Sequence, residues 1–459
     1  MGETIEISAL IDRQGMGRYA LGVLLLCVLV TLADGYNISV IAFAAPPIVK
    51  AWSLNRAALG PLFSSSLLAG LIGPFLFGTL GDRFGRRSAI IASTVMIGVF
   101  GLISGFGRSL TPLIVWRFIA GIGMSGALAV TVALVNEFAP RRLRATFVTL
   151  VFSGTTIGSG LPGLLAPTLI THYGWRSLFF VGGGAPLLLA LALWKLLPES
   201  PKYLALRPER HAELGVLLRR LDRRRAPAPD VRFVAEEQVR ARGLLATARL
   251  FSGRLAVLTP LLWLGAFIAM IVFHSFNTWL PTLLTDSGVP FARASLIVAL
   301  FQFVGTLAGW SIMRPIDTLG MIPCTLLYAL SLPLVLALGL AVGSGTALAV
   351  LIPVAGFCIL GLHFAQVACV SNIYPTQVRA TGVGWFMLCA RAGGAVGPAI
   401  VGLLVGRHVG LGHLFDLAAV PLAIGTVASI AVTVIYNAHY HGKAGTPVGL
   451  PIVAGEPRA

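Results

Sequence analysis

Asp34, Arg117 and Arg391 each stand inside a long run of apolar residues, where an ionisable side chain is costly and marks function by default. An ionised carboxylate in such a run costs roughly 2.5–3.5 kcal/mol on insertion scales. Asp34 is therefore a candidate proton carrier, the competing reading being a structural acid hydrogen-bonded to a neighbouring helix. A guanidinium does not release its proton in a protein, and its planar fork matches a carboxylate. Arg391, flanked by Gly393, Gly394, Gly397 and Pro398, must meet an anion. Because Asp34 is the only acid predicted in mid-run, the carboxylate of a bound solute is favoured over a permanent internal pair. Tyr36 and Asn37, beside Asp34, are counted as solute contacts. His274 and Asn277 lie one helical turn apart and either line the same space or are satisfied packing residues. Phe276, Trp279 and Trp385 offer either stacking surfaces or interfacial anchors.

The elements that must hold these residues follow from composition. A chain of 459 residues that is 56% hydrophobic and 11% charged, with mean hydropathy +0.88, has too few polar groups to cover a water-soluble globule. Twelve apolar runs, near residues 19–45, 57–78, 88–107, 111–136, 145–171, 178–197, 255–284, 292–313, 322–342, 346–371, 383–405 and 414–436, each approach the roughly 20 residues that span a bilayer. The expected class is an all-α membrane protein of twelve transmembrane helices. The first run is expected to stay in the chain, since it exceeds a signal h-region, carries Asp34 and is followed by no small-residue cleavage site. The five cysteines form no CxxC pair, so neither a metal site nor a disulfide framework is expected.

The net charge of +17 is placed as membrane topology requires, not as nucleic-acid binding requires. With both termini cytoplasmic, the exterior loops hold Lys50, Arg56, Arg108, Arg176, Arg293 and Arg407. Arg117, Lys195 and Arg391 lie within runs, and the rest of the 34 basic residues fall inside. This is the positive-inside bias, and it points to a multi-pass protein of the inner (plasma) membrane. The Asp82–Arg87 stretch, with Arg83 and Arg86, joins Glu137 and Arg144 in an expected cytoplasmic charge network that locks one conformation.

One long polar stretch, 198–254, carries thirteen basic residues and splits the chain into six-helix bundles at 1–197 and 255–441, with a cytoplasmic tail at 442–459. Asp82-Arg83-Phe84-Gly85 faces Asp317-Thr318-Leu319-Gly320, and Pro140-x-x-x-Arg144-Ala145-Thr146 faces Pro375-x-x-x-Arg379-Ala380-Thr381. Both pairs are 235 residues apart, so a duplication is expected, with Asp317 and Arg379 as the second half's gating residues. Two parallel six-helix repeats are a transporter architecture whose solute site lies near the midplane, between the halves.

Gly78-Thr-Leu-Gly-Asp82-Arg83-Phe-Gly85-Arg86-Arg87, Arg117-x-x-x-Gly121-x-Gly123 and Pro198-Glu199-Ser200-Pro201 resemble signatures of the major facilitator superfamily. Within it the chain most resembles the aromatic acid:proton symporters, of the 4-hydroxybenzoate and benzoate transporter kind. The resemblance rests on Asp34-Gly35-Tyr36, Phe43-Ala44-Ala45-Pro46, Gly174-Trp175-Arg176-Ser177, Trp279-Leu280-Pro281-Thr282 and Tyr374-Pro375-Thr376 through Arg379-Ala380-Thr381-Gly382 to Arg391. Asn37 stands where that family usually has a second acid, and Ala129-Val130 where it usually has Pro-Asn. The resemblance implies the major facilitator fold and proton coupling in which Arg117 pairs with Asp34. The residue type alone equally allows Arg117 to snorkel outward.

The expected protein is not an enzyme: no GxxxxGK, HExxH, GxSxG or CxxC motif occurs, so neither phosphate cradling nor hydrolysis is encoded, and no cofactor is expected. The reading is a monomeric secondary transporter that moves a small organic anion, an aromatic carboxylate above all, together with a proton by alternating access. The alternatives are an aliphatic carboxylate, a sugar or drug efflux.

Overall fold

The computed structural model describes residues 4–6, 11–12, 17–221, 232–234, 244–375 and 377–440. Twelve of its helices are long and apolar enough to cross a membrane: α1 Arg18–Trp52, α2 Arg56–Phe84, α3 Arg86–Gly105, α4 Leu110–Phe138, α5 Arg144–Tyr173, α6 Arg176–Leu196, α7 Leu255–Asp286, α8 Phe291–Ser311, α9 Ile322–Leu340, α10 Gly345–Ile373, α11 Arg379–Gly406 and α12 Leu411–Tyr440. Their outer faces expose Phe75, Leu188, Leu403 and Val427. A helix satisfies its backbone groups internally, so such apolar faces suit hydrocarbon.

Helix ends follow capping more than hydropathy. The apolar run near 19–45 continues through Pro46-Pro47 to Trp52 and stops at Ser53, whose backbone is left-handed (φ 49°) and whose N–H reaches the Val49 carbonyl, an αL stop. In α2 a 3-10 turn at Ala69–Leu71 and a break at Ile72 precede Gly73-Pro74. Pro74 lacks the N–H that would continue the ladder, so the hydrogen-bond ladder is interrupted there. Its second part packs on α4, where a carbon built on Gly73 would stand 2.0 Å from the Ser125 hydroxyl.

Two sets of six helices, α1–α6 and α7–α12, repeat the same close approaches 235 positions apart. A methyl carbon on Gly158 of α5 would lie 2.1 Å from the Leu32 carbonyl oxygen of α1, and one on Gly393 of α11 would lie 2.1 Å from the Phe267 carbonyl of α7. Gly121 meets the Ser66 carbonyl as Gly356 meets that of Phe301. The Arg144 Nε donates to the Ala139 carbonyl at 3.2 Å, and the Arg379 Nε donates to that of Tyr374 at 3.1 Å. Gly85 (φ 100°) and Gly320 (φ 61°) both end helices in a conformation that side chains resist. The glycines of α5 and α11 thus bring helix backbones together, as small residues do in membranes. Gly158→Leu is expected to cost about 3 kcal/mol or more by overpacking, read as a lowered Tm in detergent. Gly184→Ala, whose added carbon meets nothing within 4 Å, should leave Tm in place.

The sets meet mainly where α1 packs on α7, α2 on α11 and α5 on α8. At the end of the bundle away from the chain termini, here the distal end, the Arg56 guanidinium grips Asp286 at 2.6 and 2.7 Å. Gly60 and Gly402 bring α2 against α11 at the same end. Below them the Trp279 Nε1 donates to the Pro398 carbonyl at 3.0 Å, and its ring meets Phe63 edge-on with centroids 5.2 Å apart. α5 and α8 touch at several levels, from Gly163 beside Ser295 to the Thr149 hydroxyl near the sulfur of Met313, just past the end of α8.

The stretch between the sets folds in part. Helices Pro201–Ala205, His211–Leu221 and Leu244–Arg249 occur there, and the second buries Leu214, Leu217 and Leu218 against the first bundle. Strand β1 (Thr4–Glu6) pairs in parallel with β2 (Arg232–Val234), the one departure from an all-helical chain among the described residues. The tail at 442–459 lies outside the described residues.

Candidate functional site

Between the sets lies a cavity of about 190 Å³; a cavity of about 150 Å³ takes benzene, so this one has room for a single aromatic ring. Six pairs of lining residues are related by the 235-residue offset: Ile38 and Phe273, Ser125 and Leu360, Leu128 and His363, Phe152 and Met387, Thr155 and Ala390, Thr156 and Arg391. The duplicated halves therefore supply equivalent wall positions. Their chemistry has diverged, because the first half contributes the carboxylate of Asp34 and the second contributes Arg391, His274 and His363.

Asp34 sits mid-way along α1, 1% exposed, with Oδ1 buried and unpartnered. It and Arg391 are in electrostatic reach of each other, but no ion pair within 4 Å joins them among the described residues. The Arg391 Nη1 donates to the Gly70 carbonyl at 3.1 Å, at the 3-10 turn that precedes the α2 break. Arg391 faces the cavity with no carboxylate against its fork. Gly35, next to Asp34, lets α1 approach α5, since a carbon there would lie 1.9 Å from the Thr155 carbonyl.

The other expected solute contacts divide. His274 lines the cavity with its ring against Gly394 and its Nδ1 buried and unpartnered. Asn277 also lines it, but its amide is engaged: Nδ2 donates to Ser39 Oγ at 3.2 Å and Oδ1 accepts from Gln302. Asn277 thus ties α1, α7 and α8 together. Tyr36 and Asn37, expected as solute contacts, are not among the residues that line the cavity in this conformation. The Tyr36 hydroxyl donates to the Leu178 carbonyl at 3.0 Å, and the Asn37 Nδ2 donates to the carbonyls of Gly182 (2.7 Å) and Ala33 (3.1 Å), so both face α6. Phe276 packs on Phe301 and Phe415, and Trp385 on Trp263. The aromatic walls are instead Phe152, Phe273 and Phe364.

Arg117 takes neither place open to it. It is fully buried rather than snorkelling, and among the described residues it pairs with no carboxylate, donating instead to the Asn37 carbonyl. The expected pairing with Asp34 is absent from this conformation.

The charge network at the terminal end is assembled in part. Arg86 bridges Asp82 at 2.7 Å and Glu137 at 3.6 Å, and Glu137 accepts from Ser200. Glu199 accepts from the backbone N–H groups of Arg87 (3.1 Å) and Ser200 (2.9 Å). A carbon on Gly85 would lie 2.0 Å from that carboxylate, so the glycine serves the close approach as well as the turn. The Arg83 side chain stays outside the network, exposed over Phe84, although its carbonyl accepts from Tyr203 and Arg207. Arg144 and Arg379 cap carbonyls of their own loops rather than joining acids. The side chain of Asp317 lies outside the described residues.

The Major Facilitator Superfamily matches residues 27–398. The 4-hydroxybenzoate transporter PcaK of Pseudomonas putida is 34% identical, over 95% of this chain and 98% of that protein. The gallate transporter of Pseudomonas putida is 34% identical over 97% of this chain and 98% of its own length, and the benzoate transport protein of Acinetobacter baylyi is 27% identical over 93% and 92%. Among solved structures, the partially occluded inward-open xylose transporter XylE from E. coli shares the fold at TM-score 0.67 and 17% identity, over 92% of this chain and 99% of that one.

Proposed function

The chain belongs to the major facilitator superfamily, and we propose that it is a proton-coupled symporter of an aromatic carboxylate, working by alternating access between its two six-helix sets. As the superfamily implies, it is a multi-pass membrane transporter and not an enzyme. The observation that carries the finer reading is a single cavity faced by one carboxylate, Asp34, from the first set and one guanidinium, Arg391, from the second. The names of the similar transporters, for 4-hydroxybenzoate, gallate and benzoate, support an aromatic acid over an aliphatic acid, a sugar or a drug.

Coupling follows from charge balance in a low-dielectric site, where a lone charge is far more costly than a balanced pair. Two states are balanced: the empty carrier with Asp34 ionised opposite Arg391, and the loaded carrier with Asp34 protonated and the carboxylate on Arg391. Anion without proton, or proton without anion, leaves one net charge in the cavity. Restricting reorientation to the balanced states links one proton to one monovalent anion.

The positive-inside rule assigns the terminal end to the cytoplasm, in the inner membrane, which makes the closed distal end the exterior gate. The division at 1–197, 198–254 and 255–441 and a monomeric carrier are part of the same proposal. In proteoliposomes an imposed inward proton gradient should drive accumulation of 4-hydroxybenzoate; accumulation unaffected by collapsing that gradient would remove the proton, and uptake of xylose alone would remove the aromatic acid.

Arg56 and Asp286 hold that gate. Their side chains are 50% and 32% exposed, so the pair contributes at most about 1 kcal/mol, a shift of roughly fivefold in the balance of open and closed forms. Arg56→Asp should move labelling of an exterior-facing cysteine reporter in the direction of the open form by about that factor, and adding Asp286→Arg should restore it. No change in labelling would show that glycine packing alone closes the gate.

A further inference from the structure

We propose that His274 and His363 form a specificity-determining subsite that takes a ring hydroxyl of the anion whose carboxylate Arg391 holds. The inference rests on the aromatic-carboxylate reading and adds which aromatic acid is preferred.

It comes from the polar groups of the cavity wall and what each already does. Ser66 Oγ donates to the Arg117 carbonyl at 3.0 Å, Ser125 to that of Gly121 at 2.9 Å and Ser159 to that of Gly35 at 3.1 Å. The Thr156 hydroxyl is engaged with Ser153 and Thr306, and the Asn277 amide with Ser39 and Gln302. Thr155 Oγ1 is unpartnered but stands on the first half, at the α1–α5 contact beside Asp34. On the second half, the polar groups that remain are Arg391 and the two imidazoles.

Those three come from different helices and converge. His274 on α7 lies with Cδ2 and Nε2 against Gly394, one turn along α11 from Arg391. His363 on α10 is within electrostatic reach of both His274 and Arg391. Neither ring makes a hydrogen bond among the described residues, and the His274 Nδ1 is buried without a partner. Phe273 and Phe364, each the sequence neighbour of one histidine, supply apolar walls at the same place.

An uncharged imidazole presents one N–H and one lone pair, and a phenolic hydroxyl both donates and accepts. Two imidazoles answer a hydroxyl completely, one accepting its proton in a hydrogen bond and the other donating to its oxygen. An unsubstituted ring leaves both nitrogens facing carbon, and a site built to pair a hydroxyl rejects the analogue that lacks it.

The test compares 4-hydroxybenzoate with benzoate in binding to the purified full-length protein in nanodiscs. Wild type is expected to prefer 4-hydroxybenzoate by roughly tenfold or more. His274→Leu and His363→Leu should each collapse that ratio toward one, with 4-hydroxybenzoate weakened and benzoate tightened as the unpaired nitrogen is removed, and benzoate binding in the same sample reports that the variant is folded. His363→Gln, which keeps a donor and an acceptor, should restore part of the ratio and serves if a leucine variant does not fold. A wild type that binds both acids equally, or leucine and glutamine variants that keep the full ratio, overturns the histidine subsite and leaves the aromatic-acid reading standing. A wild type that binds neither acid overturns both.

Discussion

Asp34→Asn should abolish uphill uptake of the anion while leaving counterflow exchange close to wild type. The amide keeps the size of the carboxyl and its neutral loaded form, so carrier with anion on Arg391 stays balanced and reorients in both directions. The empty variant has Arg391 with no ionised carboxylate across the cavity, and its return is blocked by one unbalanced charge. Net accumulation needs that return; exchange does not. The measurement is paired in one proteoliposome preparation, with accumulation under an imposed proton gradient and exchange of labelled against unlabelled 4-hydroxybenzoate without one. Undiminished accumulation would remove Asp34 from coupling. Loss of both activities in a folded variant would assign Asp34 to binding.

Arg391→Ala should lower affinity for every carboxylate by roughly 100-fold or more. Hydrogen bonds to charged groups contribute about 1.5–3 kcal/mol each, a bidentate pair uses two of them, and tenfold corresponds to about 1.4 kcal/mol. The substitution also frees the Gly70 carbonyl that Arg391 Nη1 holds, so Arg391→Lys is the informative partner. Lysine keeps the charge and loses the fork, and should recover only part of the affinity. Titration of binding in nanodiscs distinguishes the two, and wild-type affinity in Arg391→Ala would exclude the carboxylate contact.

The sequence made the architecture legible because two signals were redundant. Apolar runs marked each helix, and the 235-residue offset linking Arg144 to Arg379 and Gly85 to Gly320 reappears as matching caps and turns. Asp34 and Arg391 were legible because a charge in an apolar run is costly to insert and is seldom kept without a use. Which side of a helix looks into the cavity was harder to read. α1 is buried on nearly every side, so its polarity has no single face and periodicity gives no direction. Helical spacing did carry some signal: Tyr36 is two positions from Asp34, about 200° round the helix, whereas Ile38, four positions on, shares the Asp34 face and lines the cavity. His363 carried the same mark as His274, an ionisable side chain in an apolar run, and was legible by the rule that selected Asp34. The break at Ile72–Pro74 could be expected from Gly73-Pro74, but the close seat of the second part of α2 on α4 depends on Ser125 and its neighbours, far along the chain.

That Asp34 and Arg391 share one cavity has an electrical consequence. On the proposed coupling, the carrier crosses empty with charges of −1 and +1 and crosses loaded with a neutral acid, a +1 and a −1. Neither passage moves net charge across the bilayer. A transmembrane potential acts at about 2.3 kcal/mol per elementary charge for each 100 mV, and on this cycle it has nothing to act on. The protein would then be driven by the difference in proton concentration alone and would draw no current. A cell could run it at full rate without depolarising, and accumulation would stop where the anion gradient matches the pH gradient, whatever the voltage.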